Sequence, residues 1–226
     1  KPEELIAIAR DYPFVEFGIL ISRLVNGFAR FPSRNWLERL YPIALTESLP
    51  LSAHLCGPMV KEFCLGNSSF LNGFGNHYLA SMFQRFQLNF HAQTHEVDRE
   101  KFIKLVRERF YPLSIIFQMD GVNEQVFFAM DSEADLNFTP LFDISRGAGI
   151  LPEFWPEQFP GVYSGYAGGL SPDNLSEQIP KIAQVATGEI WIDAETLLRS
   201  KGDLLFDLDK VRAFLEQAKP WVIGLT

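Results

Sequence analysis

Cysteine is scarce in this chain, with only Cys56 and Cys64 among 226 residues. Two thiols are too few for the disulfide framework of a small secreted domain, and they lack the paired spacing of a structural zinc site. A reducing, cytosolic setting is the expectation. Positive charge is short as well: 20 Lys and Arg stand against 28 Asp and Glu, for a formal net charge of -8. That balance, with no long basic run, argues against non-specific binding to nucleic acid. No apolar run approaches the roughly 20 residues that a spanning helix requires, which argues against a membrane-spanning role. No secretory leader is visible in a chain that begins at Lys1, and no low-complexity tract or linker interrupts it. The glycosylation tripeptide occurs at Asn67, Asn137 and Asn174, but so short a pattern arises often by chance.

What is abundant is phenylalanine, at 21 residues, in a chain that is 47% hydrophobic and 21% charged. Those proportions describe a globular protein, and the length suits one large core, so residues 1–226 are read as a single domain. The phenylalanines belong to an aromatic core or line an apolar pocket.

The most legible stretch is 161–200. An apolar run at 161–167 ends in Gly168 and Gly169. Ser171 then offers an N-cap, Pro172 a first helical position, and Leu175, Ile179, Ile182, Ala183 and Ala186 return at helical spacing. Gly188 stops the helix, and EIWID at 189–193 is a second strand ending in a carboxylate. Two strands joined by one helix form a right-handed crossover unit. The glycines lie where the first strand hands over to the helix. Exposed amides there can cradle a phosphate, or the pair can simply serve a tight turn with positive φ.

The rest of the chain repeats the pattern. Helices are predicted over 2–11, 34–44, 59–65, 98–110 and 121–130, with a last one capped by Asp207. Strands are predicted at 14–22, 49–56, 85–90, 114–120 and 139–143. Residues 66–82 are broken by Asn and Gly and read as loop followed by helix. Seven strand candidates alternating with helices imply an α/β fold with a parallel sheet. A (β/α)8 TIM-type barrel is the first reading, its first strand expected upstream of residue 1; an open doubly wound sheet is the alternative. Polar residues gather at the strand carboxyl ends, namely His54, Cys56, Asn89, His91, Asp120, Asp143, Gly168 and Asp193, where barrels of this type build active sites.

The phrases LFDISRGAGILPEFW, YAGGLSPDNL and IWIDAETLLRSKGDLLFDLDKVRAFL resemble the last three βα segments of phosphoribosylanthranilate isomerases, the tryptophan-pathway β/α barrels. KPEELIAIAR is similar to the helix after their first strand, and FQLNFHAQ to their fourth-strand region. Similarity spans most of the chain and is strongest from about Leu141. The resemblance implies an aldose-to-ketose rearrangement of a phosphoribosyl amine by an acid aspartate and a cysteine base, in the cytoplasm and without a cofactor. It places the acid at Asp143, phosphate-proximal glycines at Gly147, Gly149, Gly168 and Gly169 beside Ser171, and the substrate-carboxylate arginine at Arg34.

The departures from the family are specific. Its last strand is followed by two serines and a glycine that hold the phosphate, whereas Ala194, Glu195, Thr196 and Leu197 follow Asp193 here. An anionic Glu195 repels phosphate. The family's fourth-strand histidine falls at Asn89, and its cysteine base belongs to the first strand. Asn89, Asp120 and Asp193 join Arg34 as candidate substrate-binding residues. Each has a plainer reading as a solvated strand-end or helix-start residue. His54 and Cys56 share a side of one strand without a third ligand, so no metal is expected. The expected partner is a small phosphorylated or anionic molecule. The alternative is a divergent barrel of different or no catalytic activity that binds a small ligand or a protein.

Overall fold

A computed structural model describes residues 1–25, 27–28, 30–145, 147–200, 202 and 205–224. Seven parallel strands follow one another in sequence order within a single sheet. They are β1 (Phe17–Ile21), β2 (Leu51–Cys56), β3 (Arg85–Asn89), β4 (Ser114–Met119), β5 (Asn137–Phe142), β6 (Ser164–Ala167) and β7 (Ile190–Asp193). The helices are α1 (Pro2–Asp11), α2 (Arg34–Thr46), α3 (Pro58–Cys64), α4 (Arg99–Arg109), α5 (Glu124–Met130), α6 (Leu175–Val185) and α7 (Leu208–Ala218). Sequential parallel strands with helical crossovers make this a TIM-like α/β fold. No described helix is long and apolar enough to cross a membrane.

Contacts divide the chain into two compact units, Lys1–Thr139 and Pro140–Thr226. In the first, β1 to β4 are in parallel register, with His54 opposite Gln87 and Cys56 opposite Asn89. Alternation along each strand sorts side chains to opposite faces. One face carries Phe86, Leu88, Ile115, Phe117 and their neighbours beneath the helices, where Phe86 meets Phe110 at 4.9 Å and Phe117 meets Phe102 at 5.9 Å between ring centroids. Phe63 adds contacts with Phe70, Phe102 and Phe110. Most phenylalanines of this unit are therefore core, each burial stabilising by about 1.5–3 kcal/mol, whereas Phe28 and Phe128 are exposed.

The other face is polar. Ser52, His54 and Cys56 of β2, Gln87 and Asn89 of β3, and Ser114 and Gln118 of β4 are all buried, whereas Val, Ile and Leu usually dominate such positions. Gln87 Nε2 donates to Asn89 Oδ1 at 2.7 Å and lies 3.4 Å from His54 Nδ1. Asn89 Nδ2 points at the Cys56 sulfur, 3.5 Å away. A β-carbon on Gly18 would stand 2.6 Å from His54 Nε2, so the glycine makes room for the imidazole. Ser52 Oγ is buried without a hydrogen-bond partner in the protein.

Ser33 caps α2 by accepting from Trp36 N, and Asp207 caps α7 by accepting from Asp209 N and Lys210 N, both as the sequence predicts. Three details differ from the sequence reading. Residues 66–82 form two 3-10 helices, Ser68–Phe74 and His77–Met82, because Gly73 and Gly75 interrupt a longer helix. The strand predicted at 14–22 starts only at Phe17, since Val15 N donates to Tyr12 O in a turn. In the second unit α6 opens at Leu175 and not at Pro172. Asn174 stands at its N-cap and turns back, Oδ1 accepting from Ser171 N and Nδ2 donating to Gly169 O.

The second unit also contains an antiparallel pair, β8 (Arg199–Ser200) and β9 (Leu205–Phe206), which no sequence signal suggested. Its long segment between β5 and β6 forms no described helix, as expected of a stretch bearing Gly147, Gly149, Pro152, Pro156 and Pro160. Gln158 ties that segment down. Its Nε2 donates to the carbonyls of Val162 and Glu189, and its Oε1 accepts from Thr187 N and Gly188 N.

Candidate functional site

The second unit assembles the richest chemistry, at the carboxyl ends of β5, β6 and β7. Phe142 lies opposite Tyr166 in register, and their rings meet at 5.2 Å on the helix side of the sheet. Strand alternation then turns Asp143 to the other face. Asp193 lies opposite Ala167, one residue beyond the Tyr166 and Ile192 pair, and shares that face. Thus Asp143 and Asp193 end two strands on one side of the sheet, with Ala167 on the strand between.

Asp143 is buried, and its Oδ1 accepts from the Ser145 hydroxyl at 2.6 Å. Ser145 is itself held by a turn in which its carbonyl accepts from Ala148 N. Gly168, at φ +113°, packs against this pair: a β-carbon there would meet Ser145 Cβ at 3.4 Å and Asp143 Oδ1 at 3.6 Å. Few residues other than glycine tolerate that backbone. Thr196 closes the group by donating from Oγ1 to Gly147 O at 3.0 Å, and its side chain fills the space beside Gly149.

Gly169 is set differently. The backbone of Ile150 and Leu151 rests directly against it, in the space a side chain would need. Its own carbonyl accepts from Asn174, and the amide of Ser171 is likewise taken by Asn174. The close backbone approach that the glycine pair permits is thus made, at Gly169, by the chain's own loop. Glu195 precedes a 3-10 turn, Thr196–Leu198, directly after β7.

In the first unit, Asn89 ends β3 within the polar face already described. Asp120, a candidate substrate-binding residue from the sequence, follows β4 in the same unit. It is wholly buried, and its carboxylate accepts from Ala92 N at 2.6 Å, Val122 N at 3.0 Å, Asn123 N at 3.1 Å and Asn123 Nδ2. A buried carboxylate so enclosed by main-chain donors shapes loops. Together with Gln118, which accepts from His91 N, it holds His91 and Ala92 in the left-handed region at φ 50° and 56°. Nearby His95 is shifted below the usual histidine range, chiefly by burial.

Arg34 begins α2, where Nε pairs with Glu38 at 3.1 Å and an Nη donates to Asn76 Oδ1 at 2.9 Å. Cys64, the last residue of α3, is fully buried, and burial pushes its thiol up to about 12. That excludes it as a thiolate nucleophile at neutral pH. Among the described residues no three His, Cys, Asp or Glu side chains gather into a metal-binding group.

Sequence reasoning missed Ser145, Thr196 and Gln158. Ser145 had a signal, being a hydroxyl two residues beyond a strand-end aspartate before a glycine-rich turn. Thr196 and Gln158 act across 49 and 29–31 residues of chain, and nothing local marks them.

The sequence matches no protein-family profile and no curated protein. Among solved structures the chain is similar to N-(5'-phosphoribosyl)anthranilate isomerase from Pyrococcus furiosus, at 15% identity and a TM-score of 0.55, over 96% of this chain and 94% of that one. Octameric ribulose-1,5-bisphosphate carboxylase/oxygenase from Pyrococcus horikoshii also aligns, at 12% identity and a TM-score of 0.45, over 97% of this chain and 59% of that one. The first likeness bears out the TIM-like fold at a level of identity that speaks for fold alone.

Proposed function

We propose that the chain is an intramolecular isomerase of a phosphorylated sugar derivative, acting in the cytoplasm on N-(5'-phosphoribosyl)anthranilate or a close analogue. The observation that carries this reading is Asp143, held at the end of β5 on the same face as Asp193, in a fold similar to that isomerase over nearly its whole length. Asp143 gives its proton to the furanose ring oxygen as the bond from C1 to that oxygen breaks. The bonding pair stays on the oxygen, and the amine lone pair forms a carbon–nitrogen double bond. A second group, acting as base, then takes the C2 proton, and the resulting enaminol tautomerises to the ketose. Asp193 binds the substrate in this proposal, and the turns bearing Gly147, Gly149, Gly168 and Gly169 of the same unit receive its phosphate.

One observation favours a second reading, a barrel of different or no catalytic activity that binds a small ligand or a protein partner. The Ile150 and Leu151 backbone rests against Gly169, and Asn174 takes the Ser171 amide, so part of the expected phosphate cradle is engaged within the chain. Turnover of N-(5'-phosphoribosyl)anthranilate by the full chain separates the two. The isomerase reading expects turnover that falls by about 10²- to 10⁴-fold in Asp143→Asn, with thermal stability nearly unchanged. No turnover by the unaltered protein would select the second reading.

A further inference from the structure

The contact between Ser145 and Asp143 goes beyond what a strand-end carboxylate needs. The two residues stand two apart, the hydroxyl donates to Oδ1 at 2.6 Å, and the backbone that carries the serine is held where its carbonyl accepts from Ala148 N. Gly168 walls the pair on one side, close to both Ser145 Cβ and Asp143 Oδ1. A carboxylate fixed at one oxygen by a hydroxyl has its plane set, which is the alignment that transfer of a proton to a small target demands.

We propose that Ser145 is a positioning residue for Asp143. It holds Oδ1, which fixes the carboxyl group for proton transfer, and it stabilises the carboxylate left once the proton has gone. The inference rests on the isomerase reading for its catalytic consequence, but the positioning itself is a property of the resting protein. A hydrogen bond to a charged oxygen that strengthens as charge develops acts on the chemical step and not on binding.

The test compares Ser145→Ala and Ser145→Thr in the full chain. The carbon-13 resonance of the Asp143 carboxyl is assigned by loss of its signal in Asp143→Asn, and turnover of N-(5'-phosphoribosyl)anthranilate is measured alongside. The alanine variant is expected to move that resonance and to lower kcat by about 10- to 100-fold with KM within about two-fold, while threonine restores both. An unmoved carboxyl resonance in folded Ser145→Ala would overturn the proposal, as would an equal loss of kcat in both variants. If the unaltered protein turns nothing over while the resonance moves in alanine and not in threonine, the positioning stands and the isomerase reading falls.

Discussion

The backbone of Leu151 lies against Gly169 so closely that any side chain at 169 would have to displace it. Gly169 also holds φ at +65°, in the left-handed region. Two separate costs therefore meet at one position, steric and conformational.

Gly161 separates them. It has φ of +73°, and a β-carbon added there would have nothing within 4 Å, so Gly161→Ala should cost only the conformational term, about 1–2 kcal/mol. Gly169→Ala should cost more and should also loosen the segment around Leu151. Urea unfolding of both variants, with hydrogen exchange at the Leu151 amide, checks this; equal losses would mean that the loop yields freely.

Gln158 should prove among the more costly side chains to truncate. Gln158→Ala removes the partner of two amides and two carbonyls joining 158, 162 and 187–189. Leaving such groups short of partners costs about 1–3 kcal/mol each where water cannot reach them. A loss of about 3 kcal/mol in urea unfolding is expected. Gln158→Glu should lose nearly as much, because a carboxylate accepts from the amides but offers nothing to the carbonyls.

Alkaline pH should weaken the fold through Cys64. Burial raises its folded thiol to about 12 from an ordinary value of 9.0. The unfolded chain thus releases a proton that the folded chain keeps, so this contribution is complete below pH 9.0 and declines as pH climbs towards about 12. Cys64→Ala should flatten the fall in melting temperature between about pH 9 and 12, although it will lower stability throughout. Thiol reagents should leave Cys64 untouched in the folded protein at about pH 8, and rapid labelling would contradict its burial.

Much of the fold was legible because it rests on local rules. α1 begins and ends where Pro2 and its apolar spacing place it, and Ser33 and Asp207 cap α2 and α7 as short-range chemistry requires. β3 reads as a strand from RFQLN alone, and its alternation already implies an apolar and a polar face. What failed locally failed through competition. Ser171 and Asn174 are both competent caps; Asn174 takes the N-cap position, but its side chain bonds back to Ser171 N and Gly169 O and makes no cap bond to the helix. The hydrogen bond that Asp120 accepts from Ala92 had no local signal, since that donor arrives from the preceding crossover, 28 residues away. The short β8 and β9 pair is only two residues long on each side, too little for a periodic signal.

The strands β2, β3 and β4 divide their side chains between two faces. Phenylalanines and aliphatic side chains lock one face to the helices, while Ser52, His54, Gln87, Asn89 and Gln118 occupy the other. Scaffold and chemistry are thereby written into alternate letters of the same strands. A designer wishing to install a new reaction here can rewrite the odd or even set alone, leaving the aromatic layer that keeps the chain folded as it is.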